Sequence, residues 1–164
     1  MGKKAIEISE IDQEKLLEAL NKAYADEWLA YYQYWIGAKI VKGPMRGVAQ
    51  RELEEHAEEE LKHARMIADR IIQLGGTPLL EPEGWMQHAN CGYQVPKDSD
   101  VRSVVAQNLE GERCAIDVYN KLLKMVLNKD PITYKLAIDI LEDELEHEED
   151  LQCIIEDIDM MKKR

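Results

Sequence analysis

The chain has 164 residues and a formal net charge of −12, with 45% hydrophobic and 33% charged residues but only 9 glycines and 5 prolines. This length suits one domain with a sizeable core, and the composition favours a helical globular protein over a sheet protein or a disordered chain. The acidic balance disfavours a nucleic-acid partner. No apolar run approaches the ~18 residues of a membrane span, and the first residues lack the apolar stretch of a secretory signal. We therefore expect a cytoplasmic protein without a membrane partner.

Four long segments repeat apolar residues with a period of about 3.6 and are predicted to be helices. They span about residues 9–42, 44–75, 98–128 and 130–162. Ser9 or Asp12 could cap the first segment. A Gly-Pro pair at 43–44 and a Gly-Gly pair at 75–76 separate the first three segments, and Asp130 followed by proline predicts the start of the fourth.

The connection between the second and third segments, about residues 76–97, is long and shows no clean periodicity. Such a connection lets the helices pair as two hairpins joined by a crossover, which is the ferritin-like version of the four-helix bundle. The sequence therefore predicts an all-α fold and a single domain over residues 1–164. Long connections of this kind are unusual and tend to carry function.

The second and fourth segments share a motif in which histidine follows glutamate by three positions. The motif reads Glu60-Leu-Lys-His63 in one segment and Glu144-Leu-Glu-His147 in the other. Residues three apart lie on the same face of a helix, so each pair can act together. Because the chain is rich in glutamate, the motif alone has a high risk of coincidence. Whether the motif binds a ligand depends on which residues the other two helices place opposite it.

The first and third segments each carry one glutamate within an otherwise apolar helical face. Glu27 falls in the stripe of the first segment, and Glu112 falls in the stripe of the third. Glu110 does not, because it lies on the same side as Arg113 and Asp117. An isolated buried carboxylate costs several kcal/mol, so four of them facing one another would require a compensating cation.

The sequence therefore offers one glutamate from each of two helices and a Glu-x-x-His pair from each of the other two. The set comprises Glu27, Glu60, His63, Glu112, Glu144 and His147. This inventory matches the di-iron carboxylate pattern of helical bundles. Oxygen and imidazole ligands without thiolate suit iron or manganese, and zinc can occupy similar sites. We expect two iron ions per subunit, with manganese or zinc as other occupants; in the alternative interpretation these glutamates are exposed.

The first segment also reads Glu27-x-x-Ala30-x-x-Gln33-Tyr34, which is similar to the first-helix motif of bacterioferritins. Together with the two Glu-x-x-His motifs, it makes nearly the whole chain resemble the bacterioferritin and Dps-like branch of the ferritin-like superfamily. The resemblance implies a ferroxidase that binds Fe(II), oxidises it with hydrogen peroxide or oxygen, and stores ferric mineral in a hollow shell.

The resemblance also implies a role for each candidate residue. Glu60 and Glu144 would bridge two iron ions. Glu27 and His63 would complete the ligands of one ion, and Glu112 and His147 would complete those of the other. Tyr34 would correspond to a redox-active tyrosine, although a core tyrosine at helical spacing is the alternative interpretation.

Two departures from bacterioferritins refine the expectation. Leu61 stands where haem-binding bacterioferritins place a methionine, so haem is not expected. The chain also ends 17 residues after His147, which leaves no room for the short fifth helix of 24-subunit shells. A Dps-like dodecamer is therefore the expected assembly.

Two cysteines bring the resemblance closer to the thioferritins, which have a cysteine pair near a bacterioferritin-like di-iron site. Cys91 lies in the crossover, and Cys114 lies two residues after Glu112. Successive helical residues step by about 100°, so Cys114 is turned about 200° from Glu112 and should face away from the metal ions, where the crossover can pass. We expect a reversible, redox-active disulfide. Cys153 would then be a spare thiol, whereas three unrelated buried thiols are the alternative.

Two further histidines have no assigned role. His88 precedes Cys91 by three positions and is predicted to be a lone loop histidine, with a His88–Cys91 metal pair as the alternative. His56 lies one turn before Glu60, and it either supports the metal ligands or is exposed.

The leading hypothesis is an iron-sequestering ferroxidase that consumes peroxide and so protects the cell against oxidative stress. One alternative is a peroxidase like rubrerythrin or manganese catalase, which stores no iron. Another is a structural or DNA-protecting shell of the Dps type.

Overall fold

The computed structural model describes residues 3–163 and consists of helices with their connections. The helices are α1 (Lys4–Glu7), α2 (Gln13–Ile40), α3 (Arg46–Gln73), α4 (Pro82–His88), α5 (Val101–Val126) and α6 (Pro131–Lys162). Over the described range the only β pairing is an isolated bridge between Lys42 and Asp100. The prediction of an all-α bundle is confirmed.

The four long helices are capped by aspartates at three of their starts. The side chain of Asp12 accepts hydrogen bonds from the backbone of Glu14 and Lys15, so α2 begins after Asp12 and not at Ser9. Asp100 and Asp130 cap α5 and α6 in the same way. An aspartate cap satisfies backbone N–H groups that have no partner within the helix, and its negative charge favours the helix N-terminus.

The second long helix begins later than predicted. It starts at Arg46 and not near Pro44, because the chain makes a turn first: Gly43 has φ 112° and Met45 has φ 60°. Both angles are left-handed and cannot continue a right-handed helix.

The crossover contains a helix that the sequence did not predict. Helix α4 begins with Pro82, whose fixed φ suits the first turn, and its Trp85 ring stacks on Trp28 of α2 with centroids 4.8 Å apart. Farther along, the backbone N–H of Lys42 donates to Ser99 at 2.7 Å. The crossover therefore runs beside α2 over most of its length, and α5 begins where α2 ends.

The bundle core consists of two apolar clusters, one toward each end. One cluster includes Leu53 and Val105, and the other includes Ile67 and Ile140. Glu60 lies two helical turns from both Leu53 and Ile67, so the predicted metal-ligand layer lies between the clusters. None of the helices in residues 3–163 has the length and apolar character needed to cross a membrane.

Candidate metal centre

The four helices of the bundle bring all six predicted metal ligands together in the interior. The four glutamates are between 1% and 3% exposed, and the two histidines are at most 1% exposed. The alternative interpretation, in which these glutamates are exposed, is therefore wrong. Helix α2 supplies Glu27 and α5 supplies Glu112, whereas α3 and α6 each supply a Glu-x-x-His pair.

The six residues form two overlapping groups that could each hold one cation. One group is Glu27, Glu60, His63 and Glu144; the other is Glu60, Glu112, Glu144 and His147. Within each group the ligand atoms lie within 4.8 Å of one another. The groups share Glu60 and Glu144, which is the geometry required of two bridging carboxylates.

The atoms that face the middle of this cluster make no hydrogen bonds. They include Nδ1 of both histidines, Oε2 of Glu27 and Glu112, Oε1 of Glu60 and both oxygens of Glu144. Buried polar atoms are normally paired, and unpaired ones cost about 1–3 kcal/mol each. Two divalent cations would satisfy this set, so the residues fit a dinuclear metal centre with oxygen and imidazole ligands.

Each histidine is oriented by an acid from the other Glu-x-x-His helix. Nε2 of His63 lies 2.9 Å from Asp143, and Nε2 of His147 lies 2.5 Å from Glu59. A carboxylate that accepts the Nε2 proton leaves the Nδ1 lone pair free for a metal ion. Neither acid was identified from the sequence, although each directly precedes the motif glutamate of its own helix.

The two remaining glutamates are held by buried tyrosines in a reciprocal arrangement. Tyr34 of α2 donates to Oε1 of Glu112, and Tyr119 of α5 donates to Oε1 of Glu27. Both tyrosines are 1% exposed and follow the glutamate of their own helix by seven residues. Tyr34 was predicted as a candidate residue, whereas Tyr119 was not identified from the sequence. The two hydroxyls restrict Glu27 and Glu112, each of which belongs to only one of the two ligand groups.

Protons compensate part of the negative charge in the metal-free cluster. Burial raises the pKa values of Glu27 and Glu112 well above the ordinary value of a glutamate, and the charges of Glu60 and Glu144 add to this rise. Burial also opposes charge on both histidines, but the neighbouring carboxylates outweigh it and raise the pKa of His63 and His147. Metal ions must therefore displace protons when they bind.

Metal binding to the protein is consequently expected to release protons. When Zn²⁺ is added to the metal-free protein, we expect protons to be released and the apparent affinity to rise as the pH rises, because fewer protons remain to be displaced at higher pH. Calorimetry in buffers of different ionisation enthalpy measures the release. A Glu27→Gln/Glu112→Gln variant should release fewer protons. A pH-independent affinity without proton release would contradict these protonation states.

The crossover covers the centre on the side of α2 and α5. The carboxylate of Asp26 accepts hydrogen bonds from the backbone of Cys91 at 2.7 Å and from the side chain of Asn90 at 2.6 Å. Gln33 accepts one from the backbone of Gln94 at 3.0 Å. Asp26 was not identified from the sequence, because nothing in a single helix distinguishes it from the other acids.

The predicted cysteine pair is present as a disulfide. It joins Cys91 in the crossover to Cys114 on α5, with Cα atoms 5.8 Å apart. Cys91 helps to line a cavity of about 40 Å³ that is also lined by Glu27, Glu60, Glu112 and Glu144. Cys114 lies outside the wall of this cavity, as its rotation from Glu112 predicted. Cys153 is an exposed free thiol.

The two unassigned histidines differ in their surroundings. His88 is the exposed last residue of α4 and not a loop residue. In the disulfide, Cys91 has no thiolate to bind a metal ion, so this form of the protein gives no support to the alternative of a His88–Cys91 metal pair. His56 is 2% exposed, and its ring stacks on that of His147 with centroids 3.9 Å apart. The alternative of an exposed His56 is therefore wrong.

Comparison with known proteins gives this centre a family context. A family model described as the ferritin-like domain matches residues 17–161. The chain belongs to the ferritin-like family. This ferritin-like chain is 36% identical over 149 residues to a protein from Pyrococcus furiosus named DNA protection during starvation protein, covering 90% of this chain and 80% of the relative.

Solved structures place the chain close to one branch of the ferritin-like family. A dodecameric thioferritin, the bacterioferritin-related protein from Bacteroides fragilis, has a TM-score of 0.97 at 46% identity and covers 99% of this chain and 98% of its own. Dps from Thermosynechococcus elongatus has a TM-score of 0.82 at 17% identity, covering 87% and 90%, and shows the shared fold alone. The predicted relation to Dps-like thioferritins is confirmed.

Proposed function

We propose that the protein is an iron-sequestering ferroxidase that oxidises Fe(II) with hydrogen peroxide and stores the ferric product in a shell of identical subunits. The observation that carries this proposal is the pair of overlapping ligand groups that share Glu60 and Glu144. The shared carboxylates would hold two Fe(II) ions side by side. The two ions together supply the two electrons that reduce one molecule of hydrogen peroxide.

The surrounding residues restrict the geometry of the ligands. Asp143 and Glu59 orient the two histidines, and the two tyrosines hold Glu27 and Glu112. The buried Tyr34 hydroxyl stays protonated, because burial and the charge of Glu112 raise its pKa. It therefore remains a hydrogen-bond donor to Glu112.

The cavity beside the ligands fits a small oxidant. Its volume of about 40 Å³ accommodates two or three molecules the size of water, since one needs about 10–15 Å³ by the same measure. Hydrogen peroxide and oxygen are small enough to enter, whereas larger cellular reductants are not.

Iron loading tests the proposal directly. Fe(II) is added anaerobically to the metal-free protein, followed by hydrogen peroxide or by air, and the protein is separated by size exclusion. A storage ferroxidase should oxidise the added Fe(II) and retain far more than two iron ions per subunit. A peroxidase that stores nothing would retain about two. Release of all oxidised iron as a precipitate would contradict storage.

A DNA-protecting shell is the function suggested by the name of the Pyrococcus furiosus relative. The net charge of −12 per chain disfavours direct contact with DNA, because phosphate and carboxylate charges repel each other. Removal of Fe(II) and peroxide would protect DNA without such contact.

The assembly is expected to contain twelve subunits. The reason is the 46% identity over nearly the whole chain to a thioferritin that is dodecameric. Native mass spectrometry should give a mass of twelve times 18.9 kDa for the metal-free protein. A mass corresponding to 24 subunits, or a stable dimer, would contradict this prediction.

The disulfide is expected to respond to the redox state of the protein. When unfolded without reductant, the oxidised protein should react with an alkylating agent only at Cys153; after reduction it should react at all 3 cysteines. Addition of hydrogen peroxide to the reduced protein should restore the first pattern. Intact-protein mass spectrometry measures the added groups, and a Cys153→Ser variant is the matched control. Persistent alkylation of both Cys91 and Cys114 after peroxide treatment would contradict the prediction.

A further inference from the structure

A third group of metal-ligating side chains lies next to the dinuclear centre. Glu52 and His56 are one turn apart on α3, and Asp150 faces them from α6. Nε2 of His56 lies 3.4 Å from Oε1 of Glu52 and 3.7 Å from Oδ2 of Asp150. The three ligand atoms lie within 4.8 Å of one another.

These separations suit ligands of one cation better than hydrogen bonds. Donor–acceptor distances in N–H···O bonds are about 2.7–3.2 Å, shorter than both distances here. Ligands at about 2.1 Å from a common ion, at angles between octahedral and tetrahedral, lie about 3.0–3.4 Å apart. A small adjustment of the Glu52 and Asp150 side chains, which are 26% and 42% exposed, would bring all three to bonding distance.

His56 itself points to a missing partner. Its side chain is 3% exposed, its Nδ1 has no hydrogen-bond partner, and neither contact of its Nε2 is short enough for a hydrogen bond. The ring cannot readily turn away, because it stacks on His147 at 3.9 Å and meets the edge of Tyr34 at 5.2 Å. The buried imidazole is thus fixed with its Nε2 facing two carboxylates, and a cation between them would be bound by all three side chains.

The other half of the bundle shows that the fold does not require polar residues at these positions. An offset of 84 residues relates Glu60 and His63 to Glu144 and His147. The same offset relates His56 to Ile140, Glu52 to Leu136 and Met66 to Asp150. Ile140, Leu136 and Met66 belong to one apolar cluster and its borders. Glu52, His56 and Asp150 therefore have no polar counterparts in the other half of the bundle.

We propose that Glu52, His56 and Asp150 form a third divalent-cation site on the face between α3 and α6. One imidazole and two carboxylates, with room for water on the exposed side, suit a first-row transition cation such as Fe(II), Mn²⁺ or Zn²⁺. The crossover covers the opposite side of the centre, between α2 and α5. The proposed site and the cavity beside the crossover therefore lie on opposite sides of the centre.

The site has a specific place in iron uptake if the proposed ferroxidase function holds. The ring of His56 touches His147, a residue of the dinuclear centre, so an ion bound here would be held one side chain away from it. The site would hold the next Fe(II) ion before it enters the centre. This role rests on the proposed function, whereas the existence of the site does not.

Zn²⁺ provides a redox-inert probe of the site in the complete assembled protein. Crystals soaked with Zn²⁺ and measured at the zinc absorption edge should show three ions per subunit, with one bound by Glu52, His56 and Asp150. The Glu52→Gln/Asp150→Asn variant should retain only the two ions of the centre. The control variant, Glu58→Gln/Glu149→Gln, changes two exposed acids on the same helices and should retain all three.

Each outcome decides the inference. Two zinc ions per subunit in the unmodified protein, or a third ion that persists unchanged in the Glu52→Gln/Asp150→Asn variant, would overturn it. If that variant fails to assemble, Asp150→Asn alone should weaken binding of the third ion, and unchanged occupancy in it would also overturn the inference. A protein that binds the third ion but does not oxidise Fe(II) would refute the proposed function and leave the site intact.

Discussion

The variants Glu60→Ala and Glu144→Ala are each expected to slow Fe(II) oxidation at least about 100-fold, more than the usual effect of losing a residue that merely supports a ligand. Each glutamate belongs to both ligand groups, so its removal takes a ligand from both cation positions at once. The helical fold should survive, because alanine favours helices and removes a buried carboxylate that is costly without metal. Stopped-flow absorbance measures oxidation, and circular dichroism measures helix content.

Glu110 and Glu112 provide the matched control for this experiment. Glu112 is 3% exposed within the centre, whereas the Glu110 side chain is 62% exposed and pairs with Arg113 at 2.6 Å. Glu112→Ala should slow oxidation strongly, and Glu110→Ala should behave like the unmodified protein. Rapid oxidation by Glu60→Ala or Glu144→Ala, or a strong loss in Glu110→Ala, would show that the site is assigned to the wrong residues.

The variant Arg70→Met is expected to lower the free energy of unfolding by about 3–5 kcal/mol. Arg70 at the end of α3 donates to both carboxylate oxygens of Asp130 at 2.8 and 2.7 Å and to the Thr133 hydroxyl at 2.8 Å. Asp130 is 0% exposed and also caps α6. Methionine would leave this carboxylate buried without its counter-charge.

Denaturant unfolding at one fixed protein concentration, followed by circular dichroism, measures the change, since assembly makes stability depend on concentration. Arg65→Met changes an exposed arginine on the same helix and should cost at most about 0.5 kcal/mol. In an Asp130→Asn background, Arg70→Met should cost less than in the unmodified protein. Equal losses from Arg70→Met and Arg65→Met would argue against the buried ion pair.

The sequence predicted the four long helices and the six residues of the centre for the same reason. Helical periodicity assigns each side chain to a face of its own helix, without knowledge of the other helices. Glu27 and Glu112 stand out because they interrupt apolar faces. The two Glu-x-x-His motifs stand out because they recur. Helix ends were less certain, since Ser9 and Asp12 were equally good caps until the backbone was known.

Contacts between helices required the tertiary structure. Asp143 binds His63 and Glu59 binds His147 across the bundle, and Asp26 holds the crossover. Such contacts depend on how far each helix is rotated and shifted against its neighbour, which no single helix encodes. The periodicity within each helix identified the residues that could face the interior. Only the packing of α2, α3, α5 and α6 decided which of them meet, and it made a buried His56 face two acids.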